Sequence, residues 1–239
     1  LGVLSGRTDL PDWTPPRYDT WRLRARRETN PGSVGGACFT LELVPEGGVL
    51  PAWRAGDLVE VAPHAVDAPE LASLPHREYS IASIPSEGSL RLLVRRMTRV
   101  DGTPGLGSDW LTRRARIGER IALRIRANAN FHAPDDDRPL ILVGNGTGIA
   151  GLRALLAERV ARGRRRNWLA FGERNADRDF HFFDDIERWR ALGFIERLDL
   201  AFSRDDVREQ DVPMDSAHAS PPRTYVQHRL AEAVVTLRA

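Results

Sequence analysis

The sequence predicts a two-part protein, an antiparallel β unit followed by a parallel α/β unit, and three observations carry that prediction. Leu140 to Arg159 reads as a strand, a glycine turn and a helix. Residues 18 to 130 read as short alternating strands broken by Gly and Pro turns, with little helix, which is the pattern of an antiparallel barrel or sandwich. The chain has 239 residues, 41% of them hydrophobic, long enough for two modest cores.

Composition narrows the functional classes. Lys+Arg of 35 against Asp+Glu of 33 gives a net charge of +2, so no large basic field calls for nucleic acid or an anionic membrane. Every one of these basic residues is arginine, a compositional bias rather than a built arginine surface. The run Arg162-Gly163-Arg164-Arg165-Arg166 is expected to close a helix C-terminus and sit in water. The single cysteine, Cys38, excludes an intrachain disulfide and a multi-cysteine metal site; beside glycines at a strand start it is expected to be a small buried filler. No apolar run approaches the roughly 20 residues of a membrane helix, and no signal-peptide pattern opens the chain. A reducing, cytoplasmic setting is expected, or the cytoplasmic face of a membrane if the full chain is anchored elsewhere.

Taken in order, residues 1–17 carry Pro11, Pro15 and Pro16 around Trp13 and read as a linker or lead-in. Trp21, Leu23 and Ala25 alternate with Arg22, Arg24 and Arg26 as in a half-buried strand, and Phe39, Leu41 and Leu43 repeat the pattern. Asp57–Val61, Arg77–Ala82, Leu90–Met97 and Arg120–Arg126 give four more strands. The β unit is therefore expected over 18–130 and the α/β unit over 131–239.

Three places in this layout offer chemistry. Arg77-Glu78-Tyr79-Ser80 sets an arginine, an aromatic plate and a hydroxyl on one strand. Gly105-Leu106-Gly107-Ser108 precedes a helix expected to run to about Arg116 with Ser108 or Asp109 as its N-cap, a helix start suited to phosphate. Leu140–Val143 reads as a buried parallel strand, and Ile149, Leu152, Leu155, Leu156 and Val160 mark the buried face of the following helix. Between them Gly144-Asn145-Gly146-Thr147-Gly148 lets a ligand approach without meeting a Cβ, and Gly146 to Gly151 spells G-x-G-x-x-G. Each motif alone also fits a bland reading: a core tyrosine, an ordinary capped helix, a structural βα turn.

In order, R-x-Y-S, I-A-S, G-x-G-S, V-G-x-G-T-G-I-A, F-G-x-R, A-F-S-R and Y-V-Q-H resemble the ferredoxin–NADP reductase superfamily, from about Arg17 to the last residue. The resemblance is closest to the reductase half of diflavin enzymes, of the sulfite reductase flavoprotein and cytochrome P450 reductase type. It implies a six-stranded antiparallel barrel holding FAD and a parallel-sheet domain binding NADPH. In it Tyr79 would stack on the isoalloxazine, Arg77 would pair with a flavin phosphate, and Ser80 would lie near flavin N5 as the catalytic hydroxyl. Gly105, Gly107 and Ser108 would hold the pyrophosphate. Gly144, Gly146, Thr147 and Gly148 would meet the NADPH phosphates, and Ser203, Arg204, Arg223, Tyr225 and Gln227 the 2′-phosphoadenosine end.

A generic count from the glycine turn stops instead at Glu173, a ribose-binding acid that would select NAD. The resemblance places nucleotide choice after the third strand, at Ser203-Arg204, where guanidinium suits a dianionic phosphate, so NADPH is expected. Departures from the diflavin pattern lead to three further expectations. Only Ala62 to Pro75 stands where a large helical insert usually lies, giving a compact form; Asp205 to Pro222 is a long charged loop. The Y-V-C-G strand and C-terminal aromatic do not follow Tyr225, so the nucleotide domain is expected to stop after its third strand and following helix, as part of a longer protein. The expected partner is a flavodoxin-like FMN domain or another electron acceptor, such as sulfite reductase haemoprotein, a P450 or ferredoxin. The alternative is a flavin-binding docking or electron-relay module inactive alone.

Overall fold

The computed structural model of the chain describes residues 17–62, 75–205 and 224–233. Six strands, β1 (Asp19–Glu28), β2 (Cys38–Pro45), β3 (Leu58–Ala62), β4 (Arg77–Ser80), β5 (Leu90–Arg95) and β6 (Arg120–Arg126), form one antiparallel sheet in the order β4-β3-β6-β1-β2-β5. An Ile81–Leu92 bridge and the Ala82 N–H bond to Arg91 O (2.8 Å) join the outer strands, so the sheet closes as a barrel rather than a sandwich. Inward alternation along each strand buries Trp21, Leu23, Leu41, Leu43, Val59, Val61, Leu90, Leu92, Ile121 and Leu123 in one core.

The alternation read for the first strand fails after Leu23. The register of β1 on β2 shifts there: Leu23 faces Leu43, but Ala25 faces Glu42 and Arg26 faces Leu41. This bulge turns Ala25 to the outer face and Arg26 inward. Arg26 Nη1 then donates to Leu111 O (3.2 Å) and Ala115 O (2.7 Å), the carbonyls of the turn that plugs the barrel end. That turn is α1 (Leu106–Asp109), continued by a π-helical turn over Trp110–Arg114 that buries Trp110 and Leu111.

The second sheet is parallel, in the order β7 (Leu140–Asn145), β8 (Asn167–Glu173), β9 (Arg197–Phe202). Parallel neighbours require crossovers. α2 (Ile149–Ala161) makes the first, while α3 (Ala176–Asp179) and α4 (Phe183–Ala191) occupy the second. α2 covers one face, and α5 (Val226–Glu232) sets Val226 against Ala170 and Ala201 on the other. Central β8 is buried throughout. β7 departs from the fully buried strand expected of it: Leu142 is buried, but Ile141 and Val143 are 44% and 45% exposed. β7 is an edge strand among the described residues, and Ile141 and Val143 remain half-exposed on it.

The two sheets share a packed seam. Cys38, Ala82, Ile84 and Leu93 from the barrel side join Leu142, Ile149, Leu152 and Phe171 in a single apolar cluster, and Cys38 is the buried filler expected. Asn30 Nδ2 and Ser33 Oγ both donate to the buried Asp179 carboxylate, at 2.8 Å each, tying the β1–β2 loop to α3. The arginine run after α2 lies at the surface as expected, with Arg162 as C-cap and Arg165 against the Phe194 ring at 4.5 Å. No helix among the described residues is long and apolar enough to cross a membrane.

Candidate functional site

The strand alternation of β4 puts Arg77 and Tyr79 on one face, above the start of α1. A Cβ on Gly107 would lie 2.7 Å from Arg77 Cγ and 3.3 Å from the Tyr79 hydroxyl, so only glycine lets the turn pass under these two side chains. A cavity of about 370 Å³ opens there, walled by Arg77, Tyr79, Gly105, Gly107 and Ser108, with Arg95 and Thr147 added. Burial pushes the Tyr79 hydroxyl up to about 12 against the opposing pull of Arg77, so the ring stands as a neutral phenol. The Arg77 guanidinium donates to Pro75 O (3.1 Å) and His76 O (3.0 Å) while its stem covers Gly107.

Three sequence-derived details change here. The N-cap is Gly105, not Ser108 or Asp109, because the turn begins three residues earlier than read and ends at Arg114. The Ser108 hydroxyl is engaged inside the protein: it accepts from Met97 N (3.0 Å) and donates to Gly105 O (3.2 Å). Asp109 is buried and receives Arg113 (3.1 Å) and Arg114 (2.7 Å). Finally, Ser80 follows Tyr79 and therefore points to the opposite face. Its Cβ and Oγ would lie 3.5 and 3.6 Å from a Cβ on Gly151 of α2, beside the Phe131 ring at 3.2 Å, placing the hydroxyl at the seam between the sheets and off the walls of this cavity.

A second cavity, of about 440 Å³, lies at the C-terminal ends of β7, β8 and β9, where loops of an open α/β sheet create a crevice. It brings together Gly146, Thr147, Ser203, Tyr225 and Gln227, with Asn145, Glu173, Arg174 and Arg95. Gly146 has φ +57, the left-handed region that favours glycine. Gly144 plays a different part, since a Cβ there would meet Leu152 Cδ1 at 2.7 Å; it allows α2 to pack on β7. A Cβ on Gly148 would meet nothing within 4 Å, so space for a guest remains in front of the turn. Arg204 is exposed at the end of β9 and is not a wall of this cavity, although its N–H bonds Arg174 O at 2.7 Å and so sets it beside the rim. Arg223 and the 206–222 loop lie outside the described residues.

Sequence reasoning missed three arginines, of which Arg99 walls the first cavity. Arg95, at the end of β5, walls both cavities and is paired with the buried Glu173 carboxylate. Arg174 stands in the F-G-x-R motif next to Glu173 and walls the second cavity. Arg95 could have been found from its place at the end of a strand leading into the glycine turn; Arg174 sat in a motif already quoted. Beneath them His181 is buried, its Nδ1 3.2 Å from Thr29 Oγ1 and its Nε2 3.9 Å from Glu173. Burial, reinforced by Arg95, pushes its pKa down to about 4, so it is neutral.

No family model matches the chain. Relatives are nevertheless found. The chain is 37% identical over 169 residues to the sulfite reductase (NADPH) flavoprotein alpha-component of Vibrio cholerae, covering 68% of this chain and 25% of that protein. It is 35% identical over 173 residues to the same component from Aliivibrio fischeri, covering 68% and 26%. Among solved structures, the ferredoxin–NADP+ reductase of Plasmodium falciparum with 2′P-AMP superposes with a TM-score of 0.72 at 17% identity, over 92% of this chain and 81% of that one. The chain belongs to the ferredoxin–NADP reductase superfamily. The Plasmodium likeness carries the two-sheet fold of that superfamily, and the sulfite reductase relatives place the sequence with its diflavin reductase half. The chain spans about a quarter of the length of the curated relatives it matches.

Proposed function

We propose that the chain is the FAD- and NADPH-binding part of a flavoprotein oxidoreductase, taking hydride from NADPH to FAD and passing electrons to a flavodoxin-like FMN domain or another acceptor, as in a sulfite reductase flavoprotein. One observation carries the reading. The two cavities meet at Arg95 and Thr147, so guests in them are neighbours. The names of the relatives, which include NADPH and a flavoprotein, and of a fold neighbour holding 2′P-AMP, support the choice of guests.

The residues fit both. Tyr79 offers a neutral aromatic plate, the first N–H groups of α1 lack intrahelical acceptors, and Arg77, Arg95 and Arg99 stand around the same cavity as diphosphate partners. In the second cavity Gly146 and Thr147 stand at the start of α2 as phosphate partners, and Ser203, Tyr225 and Gln227 line the adenosine end. Arg204, beside the rim, and Arg223, outside the described residues, are the partners proposed for the 2′-phosphate. Ser80 lies at the seam beside Gly151, off the walls of the flavin cavity, and the hydrogen bond to flavin N5 proposed for it requires the ring to reach past Tyr79 into that seam. When bound, FAD supplies the two-electron acceptance and one-electron release. The protein's part is to hold the two guests in register and keep water out.

Reconstitution with FAD followed by anaerobic stopped-flow mixing with NADPH tests this. A yellow holoprotein that bleaches rapidly is expected. Flavin binding without bleaching over minutes would favour the electron-relay module, and no flavin binding would sink both.

A further inference from the structure

We propose that Arg153 is a positioning residue, the bolt that holds the helix after the glycine turn of the α/β part against the β4–β5 connection of the barrel. The proposal rests on the reductase reading, because the separation it sets is that of the two cofactor cavities. Arg153 stands five residues beyond Gly148 on α2 and is 1% exposed. Its Nη1 donates to Ala82 O (3.0 Å) and Glu87 Oε2 (2.6 Å), its Nη2 to Glu87 Oε1 (2.6 Å) and Asp185 Oδ2 (2.5 Å), and its Nε to Asp185 Oδ2 (2.9 Å). A guanidinium has five N–H donors, and these bonds use them all.

The partners come from both sides of the seam. Ala82 and Glu87 belong to the β4–β5 connection of the barrel, and Ala82 is two residues past Ser80; Asp185 belongs to the first turn of α4. Glu87 is itself held, since it accepts from Ile84 N at 3.0 Å, and Asp185 also receives Arg188 at 2.8 Å. The guanidinium carbon lies 5.3 Å from the Trp189 ring centroid and 5.8 Å from that of Phe182. Phe182 is the one non-glycine residue with positive φ among the described residues. Two residues before Arg153, Gly151 lets α2 approach Ser80 closely.

A network built on a buried, fully satisfied guanidinium has one low-energy geometry, and losing Arg153 leaves two mostly buried carboxylates without their partner. Lysine, with three donors on a single nitrogen, cannot span both carboxylates and the carbonyl. A shift of the glycine turn by an ångström would separate reacting groups enough to slow transfer while leaving each cavity intact.

The FAD-loaded protein is compared with Arg153→Met and Arg153→Lys. Cys38, the single cysteine, lies buried in the apolar cluster of the seam and reports on its opening. In Arg153→Met, Cys38 is expected to react with a thiol reagent at least tenfold faster. The limiting rate of flavin reduction by NADPH is expected to fall at least tenfold, while the Kd for 2′,5′-ADP stays within twofold. Arg153→Lys should fall between the two and not restore the rate. Unchanged labelling and rate in a folded variant would overturn the proposal, as would loss of 2′,5′-ADP binding in step with the rate, which would make Arg153 part of the nucleotide site. If neither variant folds, Asp185→Asn removes one arm, keeps the arginine, and must show the same split. Should the wild type itself resist reduction by NADPH, the reductase reading fails, and the Cys38 labelling arm still decides whether Arg153 holds the halves together.

Discussion

At the scale of single residues, chemistry was legible wherever a motif named a residue type that few backgrounds require, and illegible where direction mattered. Tyr79 and Arg77 stand together over Gly107 as their i, i+2 spacing implies, whereas Ser80, one residue on, faces α2. If Tyr79 is the flavin plate, Tyr79→Ala should weaken FAD binding by about 1–3 kcal/mol, the range of base–aromatic stacking platforms, in a fluorescence titration. Unchanged affinity with a large fall in the melting temperature of the flavin-free protein would make it a packing residue. The nucleotide choice is a residue-scale question too. Ser203 N bonds Glu173 O at 2.9 Å, so both candidate readers stand on one rim, with Glu173 already held by Arg95. Arg204→Ala is expected to cost NADPH binding about 1.5–3 kcal/mol, roughly ten- to a hundredfold, and to leave NADH nearly untouched. Equal losses for both nucleotides, measured side by side, would return the choice to Glu173.

At the scale of elements, the strands were placed correctly along the chain because apolar alternation is local, but several of their ends and their phase were not. The bulge after Leu23 inverts the sense of β1, since a bulge adds one residue without changing composition. The turn at 105–114 shows the same limit. Its glycines and serine are visible, yet which of them caps the turn depends on Met97, whose N–H the Ser108 hydroxyl accepts at 3.0 Å. Ser108→Ala should therefore destabilise the flavin-free protein by about 0.5–1.5 kcal/mol, the worth of a typical hydrogen bond, read from urea midpoints. Unaltered stability with weaker FAD binding would instead put the hydroxyl on the flavin phosphate, as the motif suggests.

At the scale of the whole molecule, the two sheets share a packed and hydrogen-bonded seam, and His181 lies in it. Its folded pKa of about 4 is below the ordinary 6.5, so the unfolded chain binds more protons between those values. The contribution is full above pH 6.5, falls as pH drops toward about 4, and amounts to something on the order of 3 kcal/mol. Urea midpoints should fall between about pH 7 and pH 5.5 in the wild type, and His181→Gln should flatten that fall; an equal slope in both would place the pH sensitivity elsewhere. The sequence by itself determined the order of the strands, the glycine turns and the superfamily resemblance, because each is written in local periodicity or in residue types with little substitute. Only the tertiary structure decided that Arg95 joins two cavities, that Ser80 faces the seam and that Arg153 spans it. Those facts depend on pairings between residues far apart in the chain, such as Arg153 with Glu87 or Arg95 with Glu173, and no local pattern encodes which distant charge a buried arginine will meet.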